Sequence, residues 1–311
     1  MTTAILFPGQ GSQYLGMGQA FIESDPKCAA VMDLAESVCD FPLRQLCLEG
    51  PMEELTRAVH LQPAITVTNL ICWQALTAHW HGSAACFAGH SLGEYSALAA
   101  AGVLSIEDTI RLVTRRGALM EREGQANPGA MHALLGLTMD QVEGVIEECK
   151  DAGIVTAANH NTETQIVISG EAAALAAVGE KARALGAKVI PLPVSVANHS
   201  PLVAGAVPDF SEFMATVDFQ PPATPVMFNV SSMLEQDPTK IREMMAGQIA
   251  SRVRWFEIIQ RMLADGVDTF IEVGPKTVLS GMIRKIAPKG SCRAMQVDSP
   301  ETLAKCLEKL A

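Results

Sequence analysis

The stretch ACFAGHSLGEYSALAAAG, residues 85–102, decides how the chain around it folds. An apolar run leads into the spacing Gly89-x-Ser91-x-Gly93, and an alanine-rich helical run begins at Leu92. Strand, sharp turn and helix in this order are the setting of a nucleophile elbow, in which glycines leave room for a strained turn that exposes the serine hydroxyl. The helix start adds free N–H groups and a positive dipole end. The stretch therefore predicts Ser91 as a nucleophile; the alternative is a serine in an ordinary turn.

Strand-like and helix-like segments alternate on both sides of this elbow, which indicates an α/β fold. The predicted strands are Ala4–Phe7, Ala84–Ala88, Val226–Asn229 and Thr269–Val273. The predicted helices are Gln62–Trp80, Leu92–Ala101, Ile106–Glu123 and Lys240–Ala264.

The middle of the chain has the element order β-α-β-β-α-β, the split arrangement of ferredoxin-like domains. Its predicted elements are Met131–Leu137, Met139–Asp151, Ile154–Ala158, Gln165–Ser169, Glu171–Leu185 and Lys188–Leu192, with the polar loop NHNTET (159–164) between the central strands. The turn-rich segments GQANPG (124–129) and PVSVANHS (193–200) flank this unit. We therefore predict a discontinuous large domain, residues 1–127 and 198–311, with a small domain, residues 128–197, inserted into it.

The composition disfavours several classes of protein. A net charge of −11 opposes binding to nucleic acid or to an anionic membrane. No apolar run approaches the roughly 18 to 20 residues that span a bilayer, and the N-terminus lacks the pattern of a secretory signal. The eight cysteines show no C-x-x-C pair and no clustering with histidine, so we expect unpaired thiols, no metal site and a cytoplasmic location.

A glycine-rich loop, PGQGSQYLGMG (8–18), follows the first predicted strand. It matches neither the dinucleotide fingerprint G-x-G-x-x-G nor a P-loop, and it offers no cation to a phosphate. Glycines nevertheless allow main chain to approach another group closely. The loop is therefore expected to contact something other than a phosphate.

A nucleophilic serine needs a base at neutral pH, and the chain has seven histidines. His79 and His81 lie at a polar helix end and are expected at the surface. His90 adjoins the serine, but neighbouring side chains around a tight turn rarely point together, so we expect it to line the pocket. His199, in a turn-rich segment, is the best candidate for the base.

Two motifs, FPGQGSQ (7–13) and GHSLGEY (89–95), resemble the malonyl-CoA:acyl carrier protein transacylase family. The resemblance continues, in the family's order, through RRG (115–117), ANHNTETQIVISG (158–170), NHS (198–200), QIASRVRW (248–255) and EVGPKTVLSGM (272–282). It covers essentially the whole chain. It implies an α/β-hydrolase-like large domain and an inserted ferredoxin-like small domain, in agreement with the order of elements above.

The resemblance also implies a ping-pong reaction. Ser91 would take an acyl group from coenzyme A and pass it to the phosphopantetheine thiol of acyl carrier protein. His199 matches the family's base, and the main-chain carbonyl at Gln248 matches the group that orients it. The N–H groups of Gln10 and Leu92 match the oxyanion hole, which gives the glycine-rich loop its expected contact.

The implied substrate contacts begin with Arg116, which matches the arginine that pairs with the free carboxylate of malonyl. Its planar fork can hold both carboxylate oxygens, and it stays charged when dehydrated. Arg115 is expected at the surface. His90, Asn198 and Asn161 are expected to line the substrate pocket.

The sequence departs from the family pattern at three places. Asn198 replaces a phenylalanine or serine, so the exclusion of methylmalonyl stays open. Arg252 replaces a common proline and would add a charge near Gln248. NTETQ (161–165) replaces the commoner NSPGQ, which leaves the path of that loop open.

The leading hypothesis is a malonyl transferase of fatty-acid synthesis that needs no metal or bound cofactor. A trans-acting polyketide acyltransferase, an editing acyl hydrolase and an inactive docking module are the alternatives. The extender unit, the particular carrier and the oligomeric state stay open. A basic segment, Lys276 to Arg293, has five cations and no acidic residue. We expect it either to bind the acidic acyl carrier protein or to form a solvated helix face.

Overall fold

The protein contains one parallel and one antiparallel sheet in a computed structural model that describes residues 1–194 and 196–310. Ser195, within the predicted turn-rich segment 193–200, and Ala311 lie outside the described residues. The strands are β1 (Thr3–Phe7), β2 (Ala84–Gly89), β3 (Ala130–Leu135), β4 (Val155–Thr162), β5 (Gln165–Gly170), β6 (Lys188–Pro191), β7 (Val226–Met227), β8 (Thr269–Val273) and β9 (Arg293–Val297).

The helices connect and cover these strands. They are α1 (Gln19–Ser24), α2 (Pro26–Val38), α3 (Leu43–Leu48), α4 (Met52–Thr56), α5 (Ala58–His79), α6 (Gly93–Ala100), α7 (Ile106–Ala126), α8 (Met139–Glu148), α9 (Ala172–Ala184), α10 (Ala206–Met214), α11 (Pro238–Gln248), α12 (Trp255–Ala264), α13 (Val278–Ile286) and α14 (Pro300–Leu310).

The parallel sheet has the strand order β7-β2-β1-β8-β9, with β1 at its centre. Side chains of β1 alternate between two cores: Ile5 and Phe7 pack with residues of α2, α5 and α7, whereas Ala4 and Leu6 pack with residues of α12 and α13. A strand buried on both faces reads as a continuous apolar run. This is why the short run before the glycine-rich loop is correctly predicted as a strand.

The antiparallel sheet has the order β4-β5-β3-β6. Numbered within the segment, this is the order 2-3-1-4, and it agrees with the predicted β-α-β-β-α-β arrangement. One face packs against α8 and α9 through a core that includes Leu134, Val142 and Leu175. The other face carries a smaller apolar cluster around Met131 and Val167.

The predicted helix Lys240–Ala264 is wrong, because the structure has two helices, α11 and α12, separated by residues 249–254. This connection pairs with β4. Val253 N–H donates to Ala158 O at 2.8 Å, and His160 N–H donates to Val253 O at 2.9 Å. Main-chain hydrogen bonds to β4, which is distant in sequence, replace the hydrogen bonds of a helix. The local periodicity of the sequence cannot reveal a partner so far along the chain.

The predicted polar loop NHNTET is also wrong. Strand β4 continues to Thr162, so that only Glu163 and Thr164 form the turn to β5. The residues Asn159 to Thr162 are buried although they are polar. The preference of a residue for a β-strand depends on what its side chain packs against. Here the polar side chains at the end of β4 lie partly along an internal cleft instead of facing solvent. β7 likewise ends two residues earlier than predicted, at Met227.

Glu272 fixes the start of α13 against the parallel sheet. Its buried carboxylate, in β8, accepts hydrogen bonds from Leu279 N at 2.9 Å and Ser280 N at 2.7 Å. Burial raises the pKa of Glu272 to about 7, and the main-chain donors oppose that rise. The carboxylate thereby satisfies N–H groups that a helix start otherwise leaves unpaired.

The cysteines, the helix hydropathy and the possible metal ligands of the described residues bear on the expectations from the composition. All eight cysteines are unpaired, and seven of them are buried. Within residues 1–194 and 196–310, no helix is long and apolar enough to cross a membrane. The same ranges contain no group of histidine, cysteine or acidic side chains that could hold a metal ion.

Candidate active site

Ser91 lies in the turn between β2 and α6 with a left-handed backbone, φ +50°. The two flanking glycines are required by close contacts. A Cβ on Gly89 would lie 1.9 Å from Gly93 C, and a Cβ on Gly93 would lie 2.1 Å from Phe7 O. The turn is therefore the strained elbow that the glycine spacing predicts.

Asn229 holds this elbow in place, and sequence analysis did not identify it. Its side chain accepts a hydrogen bond from Ser91 N at 2.7 Å and donates one to Gly89 O at 2.8 Å. It follows β7, the strand next to β2, so that it reaches the turn across the sheet edge. Two hydrogen bonds from one buried amide help to maintain an unfavourable backbone conformation.

Ser91 and His199 meet although 108 residues separate them. Ser91 Oγ is 2.6 Å from His199 Nε2. His199 Nδ1 faces two main-chain carbonyls, Gln248 O at 3.2 Å and Ser251 O at 2.9 Å. Carbonyls only accept hydrogen bonds, so Nδ1 carries the proton and the neutral Nε2 accepts from the serine hydroxyl.

The orienting contact differs in one respect from the expectation. The predicted Gln248 carbonyl does face the ring, but the Ser251 carbonyl is nearer. Both carbonyls belong to the turn that ends α11 and leads into the segment 249–254. Sequence analysis missed Ser251 because it predicted a helix there, in which that carbonyl would bond within the helix.

The environment of His199 keeps its ring neutral. The pKa of His199 is lowered from 6.5 to about 3, chiefly by burial and next by electrostatic interaction with Arg116 and His90, whereas the hydrogen bonds to the two carbonyls act in the opposite direction. A neutral imidazole at physiological pH has a free Nε2 lone pair. The geometry is therefore that of a general base poised on a hydroxyl.

The side chain of Gln248 connects the elbow to two buried ionisable residues, Glu94 and Arg116. Its Nε2 donates to Ser91 O at 2.8 Å and to Glu94 Oε2 at 2.7 Å, and its Oε1 accepts from Arg116 Nη2 at 3.1 Å. Glu94 Oε1 also accepts from Asn229 N at 2.7 Å. Burial raises the pKa of Glu94 to about 7, against its hydrogen bonds and the charge of Arg116. Glu94 is a second residue that sequence analysis missed.

Arg116 is 1% exposed, whereas Arg115 is exposed as predicted. Its Nη1 donates to Gln62 Oε1 at 2.8 Å, and its guanidinium lies 5.7 Å from the centre of the Tyr95 ring. Its Nε has no acceptor in the part of the chain that the structure describes. Arg116 does not line the cleft next to Ser91, although its positive charge lowers the pKa of His199.

The cleft next to Ser91 has a volume of about 150 Å³ and lies between the two sheets. Met131 and Val167 of the antiparallel sheet line it from one side, and Leu279 and Met282 of α13 line it from the parallel-sheet side. Six predicted site residues line it together: Gln10, His90, Ser91, Asn161, Asn198 and His199. Leu92 and Gln248 are buried and do not line it.

The glycine-rich loop lies directly against the elbow. A Cβ on Gly9 would be 2.4 Å from His90 O and 3.5 Å from Leu92 N. The N–H groups of Gln10 and Leu92 donate to no acceptor among the described residues. Two unpaired main-chain donors beside a serine hydroxyl could receive a negatively charged oxygen.

His90 and Asn161 form a polar wall of the cleft. His90 Nε2 is 2.8 Å from Asn161 Oδ1, and the His90 ring meets Trp255 edge-on with ring centres 5.4 Å apart. Burial lowers the pKa of His90. His90 thus lines the pocket, as expected, and does not contact the serine hydroxyl through its own ring nitrogens.

The basic segment begins just before α13, includes that helix and ends at the first residue of β9. All five of its cations are exposed: Lys276, Arg284, Lys285, Lys289 and Arg293. Lys285 Nζ donates to Gln165 Oε1 of the antiparallel sheet at 3.3 Å. One helix therefore lines the cleft at its start and carries positive charge at its end.

This chain is similar to known proteins over nearly its full length. Residues 5–297 match the family model described as acyl transferase domain. A malonyl CoA-acyl carrier protein transacylase of Bacillus subtilis (strain 168) is 38% identical over 310 residues, which cover 99% of this chain and 96% of that protein.

Solved structures confirm the predicted fold class. The malonyl CoA-acyl carrier protein transacylase from Coxiella burnetii is 32% identical with a TM-score of 0.96, covering 100% of this chain and 98% of that one. A type II PKS acyl-carrier protein complex with its malonyl-transacylase is 34% identical with a TM-score of 0.95, covering 99% of this chain and 100% of that one.

Proposed function

Since this chain belongs to the acyl transferase domain family, we propose that it transfers a malonyl group from malonyl-CoA to the phosphopantetheine thiol of an acyl carrier protein. The observation that carries this proposal is the 2.6 Å contact between Ser91 Oγ and His199 Nε2. The acyl group and the carrier come from the relatives, whose names state malonyl CoA and acyl carrier protein. Fatty-acid chain elongation is the proposed destination.

In the first half of the reaction, Ser91 Oγ attacks the thioester carbonyl of malonyl-CoA and His199 Nε2 accepts the hydroxyl proton. The carbonyl oxygen becomes an oxyanion, which the N–H groups of Gln10 and Leu92 stabilise. One such donor contributes on the order of 3 kcal/mol in the transition state. The carbon–sulfur bond then breaks, His199 returns the proton to the departing sulfur, and malonyl-Ser91 and coenzyme A remain.

The second half reverses these roles. The phosphopantetheine thiol transfers its proton to His199 and attacks the malonyl ester of Ser91. The same two N–H groups receive the new oxyanion. The carbon–oxygen bond breaks, His199 returns the proton to Ser91 Oγ, and malonyl-carrier leaves. A neutral histidine is needed at the start of both halves, and the lowered pKa of His199 supplies it.

Arg116 is the proposed partner of the free malonyl carboxylate. It is a buried cation whose Nε lacks an acceptor within the described residues. Burial raises the pKa of Glu94, which is connected to Arg116 through the Gln248 side chain, to about 7, so Glu94 carries less than a full negative charge near neutral pH. A dehydrated arginine favours a carboxylate strongly. His90, Asn161 and Asn198 are proposed to contact the rest of the acyl group and the thiol arm.

The reaction as proposed uses only side-chain and main-chain groups of this chain, and the carrier supplies the thiol arm. We therefore propose that no metal or cofactor is bound. The unpaired cysteines suit a reducing compartment, and we propose the cytoplasm. We also propose the division into residues 1–127 and 198–311 and residues 128–197, supported by the position of β3 to β6 within 130–191.

The basic segment is the proposed docking site for the carrier. Changing Lys285 and Lys289 together to glutamate is expected to raise the KM for acyl carrier protein about tenfold and to weaken its dependence on salt. The measurement is the initial rate of malonyl-carrier formation at several carrier and salt concentrations. The matched control changes the exposed Lys27 and Lys150 to glutamate, which alters the net charge equally. An unchanged KM and salt dependence in the first pair would place the docking site elsewhere.

A second candidate function is a trans-acting acyltransferase of polyketide synthesis. The similarity to the malonyl-transacylase solved with a type II PKS acyl-carrier protein favours it specifically. Comparing rates with a fatty-acid and a polyketide carrier distinguishes the two.

The test of the proposed function is incubation with malonyl-CoA, with and without holo carrier protein. Mass spectrometry of the carrier and an assay for free malonate follow both products. Malonyl-carrier should form in preference to malonate. Rapid malonate release that the carrier does not suppress would instead indicate an editing hydrolase.

A further inference from the structure

Residues 249–254 connect the base to the antiparallel sheet. At one end, Ser251 O accepts from His199 Nδ1 at 2.9 Å, and His199 N donates to Ile249 O at 2.9 Å. At the other end, Val253 pairs with Asn159 of β4. The position of the carbonyl that orients His199 is thus set partly by where the segment meets β4.

Arg252 lies between these two ends, and its side chain contacts the antiparallel unit. Its Nε donates to Ala157 O of β4 at 2.8 Å. Its Nη2 lies 2.7 Å from Glu143 Oε1 of α8. One side chain therefore contacts both a strand and a helix of the antiparallel unit. Arg252 is not among the residues that line the cleft.

We propose that Arg252 is a positioning residue for the base: by clamping its segment to β4 and α8, it holds the adjacent Ser251 carbonyl on His199 Nδ1 and so aims Nε2 at Ser91. The inference rests on the proposed function, in which His199 acts as the base. Arg252 touches no reacting atom, and its effect reaches the site through a single peptide unit.

The contacts of Arg252 predict a change in rate with little change in stability. The Arg252 side chain is 23% exposed and that of Glu143 is 49% exposed, so their ion pair contributes little to folding. The main-chain ladder between Val253 and β4 remains without the side chain. A small misplacement of a catalytic group, in contrast, slows chemistry strongly.

The test measures Ser91 reactivity by two routes. The first is malonyl transfer. The second is labelling by a fluorophosphonate, in which Ser91 Oγ forms a bond to phosphorus, fluoride leaves and His199 takes the proton. Labelling needs no malonyl group and no carrier. Arg252→Ala is expected to lower both the labelling rate and the kcat of transfer about tenfold, with an unchanged KM for malonyl-CoA and a melting temperature within about 3 °C of wild type.

Three further variants separate positioning from general damage. Arg252→Lys, which keeps the positive charge but has one donor nitrogen in place of the two that contact Ala157 and Glu143, should give an intermediate rate. Glu143→Gln should stay within about twofold, because the bond to Ala157 O remains. Lys181→Ala is the matched control: it removes a 2.7 Å ion pair with Glu148, on the same helix as Glu143, without touching the segment. It should label at the wild-type rate.

Wild-type labelling of Arg252→Ala would overturn the inference and leave the proposed function intact. Equal losses in Arg252→Ala and Lys181→Ala would also overturn it. If the wild type labels but forms no malonyl-carrier, the proposed function fails, while the labelling ratio still tests Arg252. Should Arg252→Ala not fold, labelling of Arg252→Lys at the wild-type rate would contradict the proposal, and a reduced rate would support it.

Discussion

Replacing His199 with alanine is expected to slow the acylation of Ser91 by about four orders of magnitude. The serine hydroxyl donates to Nε2 at 2.6 Å, and the variant has no other side chain in that position to receive the proton. The residual rate reflects the oxyanion donors and substrate binding alone. Rapid mixing with malonyl-CoA followed by intact mass measures the acylation step without the carrier.

The control for this variant is His160→Gln. His160 is 7% exposed and lies on β4, but its Nδ1 pairs with Glu257 at 3.0 Å and not with the serine. We expect its acylation rate to stay within about tenfold of wild type. A rate for His199→Ala within tenfold of wild type would contradict the assignment of the base, provided that the variant is folded by circular dichroism.

Replacing Arg116 with alanine is expected to lower kcat/KM for malonyl-CoA by about two to three orders of magnitude, because a buried carboxylate would lose its charged partner. Acetyl-CoA, which has no free carboxylate, should be accepted better than by the wild type. The preference for malonyl over acetyl should therefore fall by about a thousandfold or more. Parallel assays with both thioesters measure this ratio.

Arg115→Ala is the matched control for Arg116→Ala, because Arg115 is the neighbouring residue on α7 and is exposed. Its preference for malonyl should equal that of the wild type. The loss of Arg116 also leaves Gln62 Oε1 and Gln248 Oε1 without a donor, so the melting temperature must be recorded. If malonyl transfer by a folded Arg116→Ala continued at the wild-type rate, the carboxylate assignment would be wrong.

The sequence predicts the features that are encoded locally. The elbow is recognisable because the apolar strand, the glycine spacing and the alanine-rich helix are contiguous between residues 84 and 102. The ferredoxin-like order is recognisable because each of its elements has its own periodicity and turn residues. The packing of Gly89 against Gly93 adds the physical reason for that spacing.

The features that sequence analysis missed depend on contacts between distant residues. Asn229 supports a serine 138 positions earlier, and Ser251 O faces a histidine 52 positions earlier. Residues 249–254 have a helical pattern, but their hydrogen-bond partners lie on β4. The buried polar end of β4 reads as a loop because polarity alone does not distinguish solvent from a cleft.

Glu94 is another residue whose role depends on contacts with residues distant in sequence. Its sequence context places it one residue after the second glycine of the elbow, where it reads as an ordinary helix residue. Only the fold brings Asn229 N and Gln248 Nε2 to its two oxygens and removes it from water. A shifted pKa at such a position is a property of the packed site and not of the motif.

The most direct test of the account is the mass of the protein after brief mixing with malonyl-CoA in the absence of carrier. We expect the wild type to gain the mass of one malonyl group, located by peptide mapping on Ser91 and lost when holo carrier protein is added. Ser91→Ala should gain nothing. An unmodified wild type that nevertheless produces malonyl-carrier, or an adduct of the same size on Ser91→Ala, would contradict a covalent transfer through this serine.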